Sequence, residues 1–218
     1  MNRRQFLKNG LRGTAAYALL PATLLGSHSA MAGKGSGKGS GNAHLSKGGS
    51  SDPVTEKEIE HLMYMREEEK LARDVYLTMY AKWKTHVFAN IADSEELHTL
   101  AVKSKIDKYD LDDPVDNDDI GIFVNEELAK LYETLVDQGN KSEMDALWVG
   151  AAIEEIDMID LQEAIDETDH PDIARTYQSL KDGSENHLRA FVSVIESQGM
   201  DYSAQYLSQS AVDAILKG

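Results

Sequence analysis

The chain has 218 residues, with 22 Lys and Arg against 38 Asp and Glu, a formal charge of −16 and no cysteine. That balance argues against nucleic acid as a partner, which needs a basic surface, and favours the accumulation of cations near the surface. Without cysteine there is no disulfide, thiolate zinc site, iron–sulfur cluster, covalently attached c-type haem or cysteine nucleophile.

The N-terminus reads Asn2-Arg3-Arg4-Gln5-Phe6-Leu7-Lys8, continues through an apolar stretch to Leu25 and reaches Ala30-Met31-Ala32. A basic start, a modest apolar run and small residues before a cleavage point read as an export signal over residues 1–32. The paired arginines resemble the twin-arginine type, whose substrates are exported folded. Gly10, Gly13 and Pro21 break the run short of the roughly 20 residues a span needs, so no permanent membrane span is expected and the location reads as periplasmic or extracellular. Removing this segment takes away four basic residues and no acid, which moves the charge from −16 to −20. Residues 33–51 are rich in Gly, Ser and Lys, the composition of a flexible linker.

The globular part is expected over residues 52–200. Thr55-Glu56-Lys57-Glu58 is a capping box opening a helix that should reach Trp83. A second helix is expected over His86–Lys108, with Thr85 as a candidate N-cap. Tyr109–Val124 reads as an acidic, solvated loop punctuated by Pro114 and Gly121. Within it, Asp116 to Glu127 nearly fits a calcium loop, but Ile120 stands where an oxygen ligand is expected. A short helix follows over Glu126–Gln138, with Asn125 as cap and Gly139 as stop. The next long helix begins after Ser142, and Asp169-His170-Pro171 reads as a cap and helix start. That last long helix should end before Gly199, leaving a tail, 201–218, with apolar residues enough for one short helix. The fold class is therefore all-α, with two antiparallel hairpins joined by a long crossover that contains a short extra helix.

A helix facing a core repeats apolar residues at steps of three and four. Each long helix breaks that row near its middle. The first runs Ile59, Leu62, Arg66, Glu69, Arg73, Tyr76, Tyr80; the second Phe88, Ile91, Glu95, His98, Val102. The third runs Leu147, Ala151, Glu154, Met158, Leu161, and the fourth Ile173, Tyr177, Leu180, Ser184, His187, Phe191. In each hairpin the midpoint between facing polar residues falls at the expected turn, near Trp83 and near Asp169. A buried carboxylate must be compensated, and a divalent cation would do so. Glu95 with His98, and Ser184 with His187, share a helix face one turn apart. Carboxylates can bridge two cations while imidazoles cap the ends. The candidate metal ligands are Glu69, Glu95, His98, Glu154 and His187. Competing readings are a buried pair of Glu69 with Arg66 or Arg73, a core hydrogen bond for Glu95 and His98, and a rotated third helix that turns Glu155 or Asp157 inward. Tyr76 reads as a core aromatic whose hydroxyl could touch a metal-bound species. Ser184 reads as a hydrogen-bonding neighbour, and His61, His86 and His170 are given no role.

Glu69-Lys-Leu-Ala-Arg-Asp-Val-Tyr76 and Glu95-Glu-Leu-His98 resemble the first two helices of the ferritin and rubrerythrin superfamily, whose di-iron site takes Glu from two helices and Glu-x-x-His from the other two. Residues 67–74, 153–161 and 184–191 resemble more closely a ferritin-like branch of bacterial and archaeal proteins of unknown function. The resemblance, over about residues 55–200, implies a ferritin-like four-helix bundle holding iron, mono- or dinuclear, or another divalent transition metal. Ser184-x-x-His187 departs from the pattern by one carboxylate. Glu185 cannot replace it, since helix neighbours point about 100° apart, whereas Asp157, one turn beyond Glu154, could. One metal, two unequal metals or none all remain open. The functional expectation is an exported metal-binding protein acting as an oxidase or peroxidase, with no catalytic residue assigned. The alternative is a non-catalytic extracytoplasmic binding module whose polar layer is structural. A storage cage is disfavoured by the signal and linker; the oligomeric state, a homo-oligomer included, is otherwise open.

Overall fold

The computed structural model describes residues 53–218, so the signal and linker readings, 1–32 and 33–51, lie outside the described residues. The described residues form six helices and no strand: α1 (Glu56–Trp83), α2 (His86–Lys108), α3 (Glu126–Gly139), α4 (Glu143–Asp166), α5 (Pro171–Ser197) and α6 (Gln209–Lys217). None of them is long and apolar enough to cross a membrane.

The expected capping box opens α1: the Thr55 side chain accepts from the Glu58 amide and Glu58 takes the Thr55 N–H at 2.8 Å. Lys84, in the left-handed region at φ 61°, ends it. So short a connection lays α2 back along α1, and the rungs Arg66 to Thr99, Glu69 to His98 and Arg73 to Glu96 show the two running antiparallel. The second hairpin repeats the plan through Asp157 to Ser184, Glu154 to His187 and Gln162 to Lys181. The hairpins meet through Tyr76, Phe88 and Phe191, whose rings pack at 5.2–6.4 Å in a core with Leu62, Val75, Leu147 and Ile195.

Two expected caps are replaced by long-range contacts. Thr85 makes no cap bond, and its hydroxyl instead donates to Glu143 at 2.5 Å. The N-cap of α5 is His170, not Asp169, and it makes no side-chain cap bond. There the Glu58 carboxylate reaches across from α1, accepting the Asp169 and His170 amides at 3.1 and 3.3 Å, the Thr168 hydroxyl at 2.6 Å and lying 2.7 Å from His170 Nδ1. A carboxylate suits the positive end of a helix dipole whichever segment supplies it. His61 and His170 thus have structural partners, His61 bonding Glu167 at 2.6 Å.

The crossover is not simply solvated, as its acidity suggests. Every residue of α1 from 64 to 76 is buried, because residues 113–125 cover its outward face. Arg66 donates to Asp113, Arg73 to Asp118, and buried Lys70 to Asp74 at 2.6 Å and the Asp119 carbonyl at 2.9 Å. Glu67 accepts the Val124 amide at 2.6 Å, and Asp74 accepts that of Gly121 at 2.9 Å. Gly121 sits at φ 82°, where a Cβ would also strike the Tyr132 ring at 2.8 Å. Acids of this loop thus serve Arg66 and Arg73 of α1, while its tip, residues 116–120, is exposed, as are Ile122 and Val124.

Candidate metal centre

Glu69 from α1, Glu95 and His98 from α2, Glu154 from α4 and His187 from α5 converge on one buried layer. Glu95 stands between the two imidazoles. Its Oε2 is 2.9 Å from His98 Nδ1 and its Oε1 is 2.8 Å from His187 Nδ1. His98 Nδ1 is also 3.2 Å from Glu69 Oε2, and His187 Nδ1 is 3.4 Å from Glu154 Oε2. The two rings stack with centroids 5.3 Å apart. Donor atoms of Glu95, His98 and His187 all lie within 4.8 Å of one another, the spacing of a shared cation.

Neighbours hold these side chains in place. Tyr76 donates its hydroxyl to Glu154 Oε1 at 2.5 Å. Ser94 bonds His187 Nε2 at 2.8 Å, which turns Nδ1 inward. His98 needs Gly183: a Cβ there would stand 2.6 Å from its Nε2. Glycine inside a helix costs about 1 kcal/mol against alanine, so clearance for the ring is its physical reason.

Contacts decide two of the three competing readings, while the 2.9 Å approach of Glu95 to His98 suits a core pairing as well as a shared cation. Arg66 and Arg73 pair with Asp113 and Asp118, so Glu69 has no guanidinium partner. Glu154 does face the layer. Asp157 joins it, buried, with Ser184 donating to its Oδ2. Glu155 points elsewhere, accepting the Tyr202 hydroxyl and the amides of Gln205, Tyr206 and Leu207, and so moors the tail. Sequence reasoning missed the supporting roles of Ser94 and Gly183. A glycine in mid-helix with no turn to make was the available signal for the second.

The electrostatics are those of excess buried acid. Burial pushes the Glu69 carboxyl up to about 8 against the pull of His98. Burial also raises Glu154 and Asp157. For Glu95 burial acts the same way, but the two flanking imidazoles win and hold it at about 2. Burial would lower the histidines, yet their carboxylates raise His98 to about 11 and His187 to about 10. Metal ligation fits the atoms present. Glu69 Oε1, Asp157 Oδ1 and His187 Nδ1 are buried without a hydrogen-bond partner, and each such atom ordinarily costs about 1–3 kcal/mol. His187 Nδ1 is close to Glu95 but off the hydrogen-bond direction, as two donors to one cation would be.

A small cavity of about 20 Å³ between α1, α3 and α4, room for one water-sized molecule, is walled mainly by Leu71, Ala72, Leu131, Leu135 and Ile153, with Glu68 and Asp157 also in its lining.

Residues 58–218 match the family described as uncharacterized protein domain DUF2202. The chain belongs to the DUF2202 family. The matched span of this DUF2202 chain takes in every residue of the polar layer. It is similar to the uncharacterized protein MJ0754 of Methanocaldococcus jannaschii, 51% identical over 164 residues that span 75% of this chain and 89% of that protein. It also resembles the crystal structure of the hypothetical protein MJ0754 from Methanococcus jannaschii DSM 2661, with a TM-score of 0.75 and 49% identity over 81% of this chain and 98% of that one.

Proposed function

We propose that this DUF2202 chain is an exported, ferritin-like protein whose buried layer binds iron or a similar transition metal and acts on oxygen or peroxide. The observation that carries the reading is the meeting of three glutamates and two histidines from four helices at one depth, where Glu69 Oε1 has no hydrogen-bond partner among the described residues and His187 Nδ1 lies 2.8 Å from Glu95 Oε1 but off the hydrogen-bond direction. Bound iron would supply electron transfer to a small oxidant. A mixed carboxylate and imidazole set favours a transition metal over calcium or magnesium. Glu69, Glu95 and Glu154 offer oxygens and the two histidines offer Nδ1, with Tyr76 and Ser94 fixing how Glu154 and His187 are aimed. The two antiparallel hairpins and the Glu-x-x-His of α2 support the ferritin-like reading, and the basic N-terminus supports export. The test is elemental analysis of protein purified from iron-replete cells, followed by ferrous iron uptake. Near-stoichiometric transition metal is expected; no metal together with no uptake removes the reading.

One observation favours a second reading. The Glu69–His98 and Glu95–His187 contacts also suit carboxylate–imidazolium pairs, as in a non-catalytic binding module with a structural polar layer. Glu95→Ala separates the two. The metal reading expects lost metal and a melting temperature that falls further under metal-replete conditions than without metal, whereas the structural reading expects equal destabilisation with and without metal.

A further inference from the structure

We infer that Asp157, aimed by Ser184, is a further metal ligand of the layer and brings its charge to that required by two divalent cations. The inference rests on the metal-binding reading above. Asp157 is 6% exposed. Its Oδ2 accepts from Ser184 and its Oδ1 has no hydrogen-bond partner. Among the described residues no lysine or arginine pairs with it: the cations of α1 serve Asp113, Asp74 and Asp118 instead. A carboxylate so buried and so unpartnered must either hold a proton or meet a positive charge from elsewhere.

Its placement says which charge. Asp157 lies one helical turn from Glu154 on α4, as Ser184 lies one turn from His187 on α5, so the two pairs form successive rungs between the same helices. It lies within electrostatic reach of Glu69, Glu95 and Glu154. Once deprotonated, as ligation requires, four carboxylates with two neutral imidazoles carry four negative charges; one divalent cation leaves two of them to be met by protons, and two cations balance all four. Ser184 has one proton and two acceptors within reach, Asp157 and the Leu180 carbonyl at 3.0 Å. An ionised Asp157 is the stronger acceptor, and the bond fixes its Oδ2 while Oδ1 is left buried without a hydrogen-bond partner. The side chain at 184 is too short to ligate from α5, and α4 supplies the carboxylate.

The test is titration of the chelator-stripped full chain with cobalt(II), read by calorimetry and by the visible spectrum of the bound ion. The wild type is expected to take two equivalents, Asp157→Asn one. Ser184→Ala should keep two, with the second about tenfold weaker, because it loses only an orienting bond. The exchanged double variant Asp157→Ala/Ser184→Glu, which returns the carboxylate from the facing helix, should regain two, and it decides the matter if Asp157→Asn fails to fold. One equivalent in the wild type, unchanged in Asp157→Asn, overturns the inference and leaves the metal reading standing. Two equivalents retained by a folded Asp157→Asn, or only one in the double variant, also overturn it. No binding by the wild type removes both.

Discussion

The imidazole of His98 rests against the backbone of Gly183, so close that a Cβ on that glycine would stand 2.6 Å from Nε2 and 2.7 Å from Cε1. Helix propensity and site geometry are opposed at this position. Gly183→Ala should stabilise an isolated α5 by up to about 1 kcal/mol, while pushing His98 off its place beside Glu95 and Glu69. The expected result is a small change in melting temperature measured without metal, the gained propensity offsetting part of the lost His98 contacts, together with cobalt(II) affinity at least tenfold weaker. Unchanged affinity would show that the ring moves without consequence.

Tyr76 should matter to stability before it matters to chemistry. Its hydroxyl donates to Glu154 at 2.5 Å in a fully buried setting, and a carboxylate left without that bond costs about 1–3 kcal/mol. Tyr76→Phe is expected to lower unfolding free energy by that order in urea titrations of the chelated protein. Added metal should recover part of the loss by supplying Glu154 with another partner. Equal losses with and without metal would place Glu154 outside the metal's reach.

Metal uptake should be strongly pH-dependent. The carboxylates hold His98 protonated up to about 11 and His187 up to about 10, and a metal needs both rings neutral. Protons therefore compete with the cation, and affinity should rise with pH across the neutral range. At pH 7 binding should release protons. Calorimetry in two buffers of different ionisation enthalpy measures that release, and identical heats would refute it. Without metal the sign for stability is opposite. Both rings have folded values above the ordinary 6.5, so their contribution is complete below 6.5 and lost as pH rises through about 10 to 11.

Glu58 gives an independent pH signature far from the layer. Burial alone would raise its carboxyl, but bonds from Thr168, the Thr55 amide and His170 bring it down from 4.5 to about 2. A lowered folded value means the contribution is whole above about 4.5 and disappears as pH falls toward about 2. The melting-temperature gap between wild type and Glu58→Gln should therefore be widest above pH 4.5 and close in strong acid. A gap independent of pH would mean the amide loses packing and not charge.

Much of this protein is written locally. Capping at Thr55, Asn125 and Ser142 and proline at the start of α5 set helix ends through contacts a few residues apart. Glu69, Glu95, His98, Glu154 and His187 stand out because each interrupts an apolar row, and a periodic row is a property of the chain alone. Where the sequence misleads, the partner is distant. Thr85 and Asp169 look like caps, yet Glu143 engages the first and Glu58, from the far end of α1, caps α5 in place of the second.

What only the tertiary structure decided is rotation and coverage. Glu154, Glu155 and Asp157 are near-equivalent on paper, and which of them turn toward the layer depends on how α4 seats between α1 and α5. Packing sends Glu154 and Asp157 to the layer and Glu155 to the tail loop. Likewise Arg66 and Arg73 read as possible partners of Glu69 in the core row, until the crossover folds over them and Asp113 and Asp118 take their charge. Helix periodicity fixes which residues share a face, but only a neighbouring element fixes what that face meets.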